Sequence, residues 1–163
     1  MFDPELTVLA ETVLKRFEEN GKMLVTAESC TGGLITGVLT SIPGSSSVVE
    51  RGFVTYTNEA KMEMLGVSPA LFPDVGAVSN AVACEMASGA ITHSRADIAV
   101  AVTGVAGPGQ SERKPAGLVY IGICNRGGEP SAHEYLFSGD RNGVRRQAVI
   151  EALTLATKAA LGD

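Results

Sequence analysis

The sequence predicts a three-layer α/β fold built on a mixed β-sheet. Two observations predict this fold class. Helical and strand patterns alternate in the early part of the chain, which favours parallel strands. Two β-rich runs around a glycine-containing turn follow late in the chain, which is typical of an antiparallel hairpin. The length of 163 residues suits one domain, to which we assign residues 1–163.

Six segments carry helical patterns. Asp3 followed by Pro4 is typical of a cap and a first helical residue, and Asn20-Gly21 ends that helix. The other predicted helices cover residues 34–42, 59–65, a short turn from Ser68, 80–93 and 144–161. Asn58 and Ser79 are expected to cap the third and fifth helices.

Five runs of β-forming residues complete the pattern, and they cover residues 23–27, 48–57, 98–102, 118–124 and 132–137. Residues 125–129 form the hairpin turn. Glycines place residues 103–109 in a loop after a central strand. Strand ends line the ligand crevice of α/β sheets, so this loop is a candidate binding element; the alternative is a generic turn.

Composition excludes several classes of protein. Hydrophobic residues make up 45% of the chain and charged residues 19%, which indicates a globular protein. The net charge of -5 argues against a nucleic-acid partner. The first residues show no basic-then-apolar leader pattern, and no apolar run is long enough to span a bilayer, so we expect neither secretion nor a membrane partner. Three cysteines without metal-type spacing fit a reducing cytoplasm and predict neither a disulfide nor a metal site.

Ser29 lies where a predicted strand meets a predicted helix. The first turn of a helix has unpaired N–H groups, so those of Thr31, Gly32 and Gly33 are expected to be free to hold an anion or an oxyanion. This places Ser29 as a candidate nucleophile. The simpler interpretation, that Ser29 or Thr31 only caps the helix, stays open.

Cys30 is a rival nucleophile, but a thiolate needs a basic partner, and His93 and His133 lie far away in sequence. Lys61 lies two residues into a short predicted helix that follows the long predicted strand 48–57. A lysine in this position is either a solvated helix-face charge or a desolvated amine with a lowered pKa that acts as a general base. Tyr56 ends the preceding strand and is placed to orient that amine.

Arginines open the last helix. Arg141 and Arg145 are four residues apart, so they share a face if both are helical. Their guanidinium groups could clamp a phosphate or a carboxylate. A surface charge run is the alternative.

Four segments together resemble a known family. They are residues 26–33 (TAESCTGG), 52–61 (GFVTYTNEAK), the glycine loop 104–109 and residues 137–141 (FSGDR). They look like the C-terminal domain of the competence/damage-inducible protein CinA, a domain that also occurs alone as a nicotinamide-nucleotide amidohydrolase. The similarity covers nearly the whole chain in the same order.

The resemblance implies an α/β/α sandwich with a mixed, mostly parallel sheet, and an amidohydrolase that converts nicotinamide mononucleotide to nicotinate mononucleotide and ammonia. It implies a Ser/Lys mechanism without metal or cofactor. In this mechanism Ser29 is the nucleophile, Lys61 is the base and Tyr56 assists catalysis. The expected substrate-binding residues are Thr31, Gly32, Gly33, Thr103, Gly104, Arg141 and Arg145.

A second function class stays open, namely a non-catalytic nucleotide-binding module linked to competence or DNA damage. Glycine loops and arginines would serve either function. The pairing of Ser29 with Lys61 discriminates between them, because a binding module does not need it. Either way the expected partner is a small-molecule nucleotide, and the sequence leaves a homo-oligomer open.

Overall fold

The computed structural model describes residues 1–163, which form five strands and six α-helices. The strands are β1 (Leu24–Glu28), β2 (Val49–Val54), β3 (Ile98–Gly104), β4 (Leu118–Asn125) and β5 (Ser131–Leu136). The helices are α1 (Pro4–Glu19), α2 (Leu34–Thr40), α3 (Asn58–Leu65), α4 (Leu71–Asp74), α5 (Asn80–Thr92) and α6 (Arg141–Ala160). No helix has both the length and the apolar character needed to cross a bilayer.

One mixed sheet runs through the molecule in the order β2-β1-β3-β4-β5. Strand β1 pairs in parallel with β2 and with β3, whereas the pairs β3–β4 and β4–β5 are antiparallel. Pairings therefore divide evenly between the two types, although every strand except β4 runs in the same direction. The predicted mixed sheet with a late hairpin is confirmed.

Helices cover both faces of the sheet, because alternate residues of the strands point to opposite sides. In β1, Leu24 packs in a core cluster with α1, α2 and α6, whereas Val25 and Ala27 pack in a second cluster with α5. Helix α3 lies beside α5 on that second face. The expected α/β/α sandwich is confirmed. The same alternation carries Glu28 to the α2 side of the sheet and the next residue, Ser29, to the α3 side.

Two predicted helix starts are confirmed at the level of single hydrogen bonds. The carboxylate of Asp3 accepts from the N–H of Leu6 at 3.0 Å, and the hydroxyl of Ser79 accepts from the N–H of Val82 at 3.3 Å. The prediction that Asn58 caps α3 is wrong by one residue. Thr57 keeps an extended backbone and accepts from the N–H of Ala60, so Asn58 is the first helical residue.

Most strand bounds shift by one residue, and the helical turn predicted from Ser68 begins at Leu71. Three larger differences concern segments near Ser29 and Lys61. Strand β2 ends at Val54, so residues 55–57 form a short extended connection to α3. Strand β3 continues to Gly104, which places Thr103 and Gly104 in the strand rather than in the loop. Helix α6 starts three residues earlier than its apolar pattern because Asp140 caps it through the N–H of Gly143.

Candidate active site

A tight turn connects β1 to α2 and presents Ser29. The N–H of Ser29 donates to the carbonyl of Val102 in β3 at 3.0 Å, which continues the sheet by one residue. The carbonyl of Ser29 then accepts from the N–H of Gly32 at 3.0 Å and closes the turn. Gly32 and Gly33 have φ angles of +59° and +101°, a region that side chains disfavour. Glycines are therefore required for this turn.

Lys61 meets Ser29 on the second face of the sheet. Its side chain is buried, and its Nζ lies 2.9 Å from the Oγ of Ser29, 2.9 Å from the carbonyl oxygen of Thr55 and 3.2 Å from that of Tyr56. Carbonyl oxygens only accept hydrogen bonds. When the amine is neutral, its two protons satisfy the carbonyls, and the remaining lone pair faces the Ser29 hydroxyl.

Burial tunes this amine toward neutrality. Desolvation lowers the pKa of Lys61 from 10.5 to about 8, against opposing contributions from Cys30 and Glu112. At pH 7 roughly a tenth of such amines are neutral, a far larger share than for a solvated lysine. Burial also raises the pKa of the Cys30 thiol to about 11, so that thiol is protonated near neutral pH and is a poor rival nucleophile.

A cavity of about 290 Å³ opens beside Ser29. It brings together six of the ten predicted site residues: Ser29, Tyr56, Lys61, Thr103, Gly104 and Arg141. The other four, Thr31, Gly32, Gly33 and Arg145, lie outside its lining. No group of three or more His, Cys, Asp or Glu side chains is placed to hold a metal ion.

The start of α2 is occupied by the protein's own carboxylate. Glu28 is fully buried and accepts hydrogen bonds from the N–H groups of Ile35 and Thr36, at 2.9 and 3.1 Å, and from the hydroxyl of Thr31 at 2.7 Å. A helix N-terminus favours negative charge, and Glu28 supplies it. The prediction that the Gly32 N–H is free is wrong, because it closes the turn after Ser29.

The two arginines of α6 have separate partners. Arg141 lines the cavity, where it donates to the carbonyl of Gly107 at 2.7 Å and to the hydroxyl of Tyr56 at 3.2 Å. Arg145 donates to the carbonyls of Cys30 and Thr31 at 3.0 and 3.3 Å. Arg145 therefore holds the turn that follows Ser29, and only Arg141 faces the cavity.

Several cavity residues were not among the predicted site residues. The polar residues Asn58 and 110–112 line the cavity. The sequence shows a polar stretch after the glycine loop, but nothing in it shows that this stretch lines the same cavity as Ser29. Thr103 contributes to the wall, and its hydroxyl donates to the carbonyl of Ala77 at 2.8 Å.

Comparison with protein families agrees with this geometry. Residues 6–160 match the profile of the CinA C-terminal domain. The chain belongs to the CinA C-terminal domain family. The match covers every strand of the sheet and both segments that meet at the Ser29–Lys61 contact.

Members of the CinA C-terminal domain family with closely similar sequences include stand-alone enzymes. The chain is 49% identical over 154 residues to the nicotinamide-nucleotide amidohydrolase PncC of Escherichia coli K12, covering 94% of this chain and 93% of that protein. It is 43% identical to PncC of Enterobacter agglomerans, covering 97% of each chain. The crystal structure of the competence/damage inducible protein CihA from Agrobacterium tumefaciens superposes with a TM-score of 0.92 at 47% identity, covering 100% of this chain and 99% of that one.

Proposed function

We propose that this protein is a nicotinamide-nucleotide amidohydrolase, which converts nicotinamide mononucleotide and water to nicotinate mononucleotide and ammonia. The activity named for its PncC relatives supports the substrate class. The contact of 2.9 Å between the Lys61 Nζ and the Ser29 Oγ, at the wall of a cavity, carries the proposal. Residues 1–163 act as one domain in the cytoplasm on a small nucleotide, without a nucleic-acid or membrane partner.

The first chemical step is attack of Ser29 on the carboxamide carbon. A bond forms between the Ser29 Oγ and that carbon while neutral Lys61 takes the hydroxyl proton, and the carbonyl oxygen becomes an oxyanion. Ser29 is suited to this step because it is buried, held by its backbone to β3 and already in contact with the base. Tyr56 fixes the base, because its carbonyl accepts from the Lys61 Nζ.

Backbone N–H groups of Cys30 and Ala106 stabilise the oxyanion in this proposal. Both residues line the cavity, and neither N–H takes part in a hydrogen bond within the protein. Glu28 pairs with Val102 in register, so the chain beyond each strand end brings Cys30 and Ala106 to the same edge of the sheet. Preorganised N–H donors at the place where the oxyanion forms stabilise that charge in the transition state.

The remaining steps return the enzyme to its starting state. The Lys61 ammonium gives its proton to the departing nitrogen as the C–N bond breaks, and ammonia leaves an ester between Ser29 and the nicotinoyl carbon. Water then attacks that ester and passes a proton to Lys61, which returns it to the Ser29 oxygen as the C–O bond breaks. The product is a carboxylic acid that releases its proton to solvent, where ammonia can take it up, and one water molecule is consumed.

Substrate binding is assigned to other residues that line the cavity. Arg141 offers a guanidinium that can bind the phosphate of the nucleotide in place of its present partners. Thr103 and Gly104 form the side of the cavity that continues β3. Thr31, Gly32, Gly33 and Arg145 act on the shape of the turn after Ser29 rather than on the ligand.

The competence/damage name of the Agrobacterium relative names no reaction, so a nucleotide-binding module without catalysis is the second candidate. The buried Lys61 favours the enzyme, because a depressed amine pKa serves proton transfer and costs stability. The deciding experiment is ammonia release from nicotinamide mononucleotide by the purified chain. Binding of the nucleotide without ammonia release would support the binding module and refute the enzyme.

A further inference from the structure

Glu112 is the only acidic residue that lines the cavity, whereas Lys61 and Arg141 are both cations when protonated. The mechanism described above does not use it. Its carboxylate is held in place, because one oxygen accepts from the N–H of Ala77 at 2.9 Å. The other oxygen makes no hydrogen bond within the protein and is free to meet a ligand.

The backbone around Glu112 is shaped to hold this carboxylate. Glu112 and Arg113 have φ angles of +52° and +65°, which residues with a side chain disfavour and which are enriched at functional sites. Lys114 fastens the same loop by donating to the carbonyls of Val75 and Val78. A Cβ on Gly76 would lie 1.9 Å from the Glu112 Oε2, so a glycine at that position leaves room for the carboxylate.

We propose that Glu112 is a specificity-determining residue that selects the positively charged pyridinium ring of the substrate over an uncharged ring of the same shape. This inference rests on the proposed function. In a nicotinamide nucleotide a single ring atom separates the charged nitrogen from the carbon that bears the carboxamide, so the charge enters the cavity together with the scissile amide. Without Glu112 the only charged side chains lining the cavity around the positively charged ring would be the cations Lys61 and Arg141.

The field of Glu112 reaches the reacting groups. Its carboxylate acts on Lys61, whose pKa it raises against the larger effect of burial. A group that influences the Lys61 amine also influences a cation bound next to that amine, because both effects follow the same distance law. An uncharged ring has no net charge on which this field can act, so Glu112 discriminates between the two ligands by charge alone.

The test uses two ligands and two proteins. Ser29→Ala prevents turnover, and dissociation constants are measured by calorimetry for Ser29→Ala and for Ser29→Ala combined with Glu112→Gln. The ligands are nicotinamide mononucleotide and the C-nucleotide in which a benzene ring replaces the pyridinium. Glutamine keeps an oxygen that can accept from the Ala77 N–H, so the loop stays anchored. Glu129→Gln, outside the cavity, is the matched control.

Glu112→Gln should weaken binding of nicotinamide mononucleotide by about tenfold, as expected for a partly solvated charge pair. Binding of the uncharged ligand should stay within about twofold, which also shows that the variant is folded. Equal weakening of both ligands, or no weakening of either, would overturn the role of Glu112. Ammonia release by the unmutated chain is measured in parallel, and its absence would instead refute the proposed function.

Discussion

The substitution Lys61→Arg tests whether Lys61 acts as a general base or only supplies a positive charge. The Lys61 pKa of about 8 predicts that kcat/KM of the unmutated enzyme rises about tenfold per pH unit below pH 8 and levels off above it. The phosphate of the substrate titrates near pH 6, so the rise is measured above pH 6.5, where that titration contributes little. Arginine keeps the charge but cannot release its proton at these pH values. Lys61→Arg should therefore lose the rising limb and fall by about 10²- to 10⁴-fold in kcat/KM.

The assay is ammonia release between pH 6.5 and 10, with nucleotide saturation followed at each pH. Circular dichroism and nucleotide binding verify that Lys61→Arg is folded, and Lys61→Met provides an uncharged variant of similar length. Because both variants lack a titratable amine, we expect kcat/KM of both to stay about 10²- to 10⁴-fold below that of the unmutated enzyme, without a rise with pH. Near-normal activity of folded Lys61→Arg, or a wild-type transition near the ordinary lysine pKa, would refute the assignment of Lys61 as the base.

Four further expectations follow from the same contacts. Ser29→Ala should lower kcat by about 10³-fold or more while nucleotide binding persists, whereas Cys30→Ala should keep most of the activity; the reverse pattern would move the nucleophile to Cys30. Arg141→Ala should raise KM by about tenfold for the nucleotide and far less for its nucleoside. Arg145→Ala should lower kcat instead. Steady-state kinetics on the nucleotide and the nucleoside distinguish these two effects. EDTA should leave activity unchanged, and rescue of a chelated sample by Zn²⁺ or Mn²⁺ would contradict the metal-free chemistry. Burial of Lys61 lowers the free energy of unfolding by its full amount below about pH 8. Between about pH 8 and 10.5 the unfolded chain binds one proton more than the folded chain at this amine, so the free energy of unfolding should rise with pH. Urea unfolding of Lys61→Met should lack this rise.

Local signals in the sequence were sufficient for most of the fold. Caps such as Asp3 and Ser79 act within three residues of their own position, so a reader of the sequence can assign them. The choice between Thr57 and Asn58 could not be made in the same way. Both residues are good caps, and the decision depends on where β2 stops and how the chain approaches α3.

The placement of site residues was less accessible, because it depends on contacts between distant segments. Arg141 and Arg145 share one helix and the predicted spacing, yet only the packing of α6 against the turn after Ser29 assigns Arg145 to that turn. Glu112 gave no sequence signal, since its position over the cavity depends on an unusual backbone and on the N–H of Ala77. The spacing of residues along the sequence does not predict tertiary contacts of this kind.

Side chains of β1 alternate between the two faces of the sheet, so two adjacent polar residues at its end have different roles, one structural and one chemical. Glu28 points to α2 and accepts from the N–H groups at the start of that helix, so those groups are not available to an anionic ligand. Ser29 points to the opposite face, where Lys61 is the nearest ionisable partner. A shift of β1 by one residue would exchange the two, placing a carboxylate beside the amine and raising its pKa. The register of β1 between β2 and β3 is therefore a condition for a neutral Lys61, and it links the stability of the sheet directly to the chemistry at its edge.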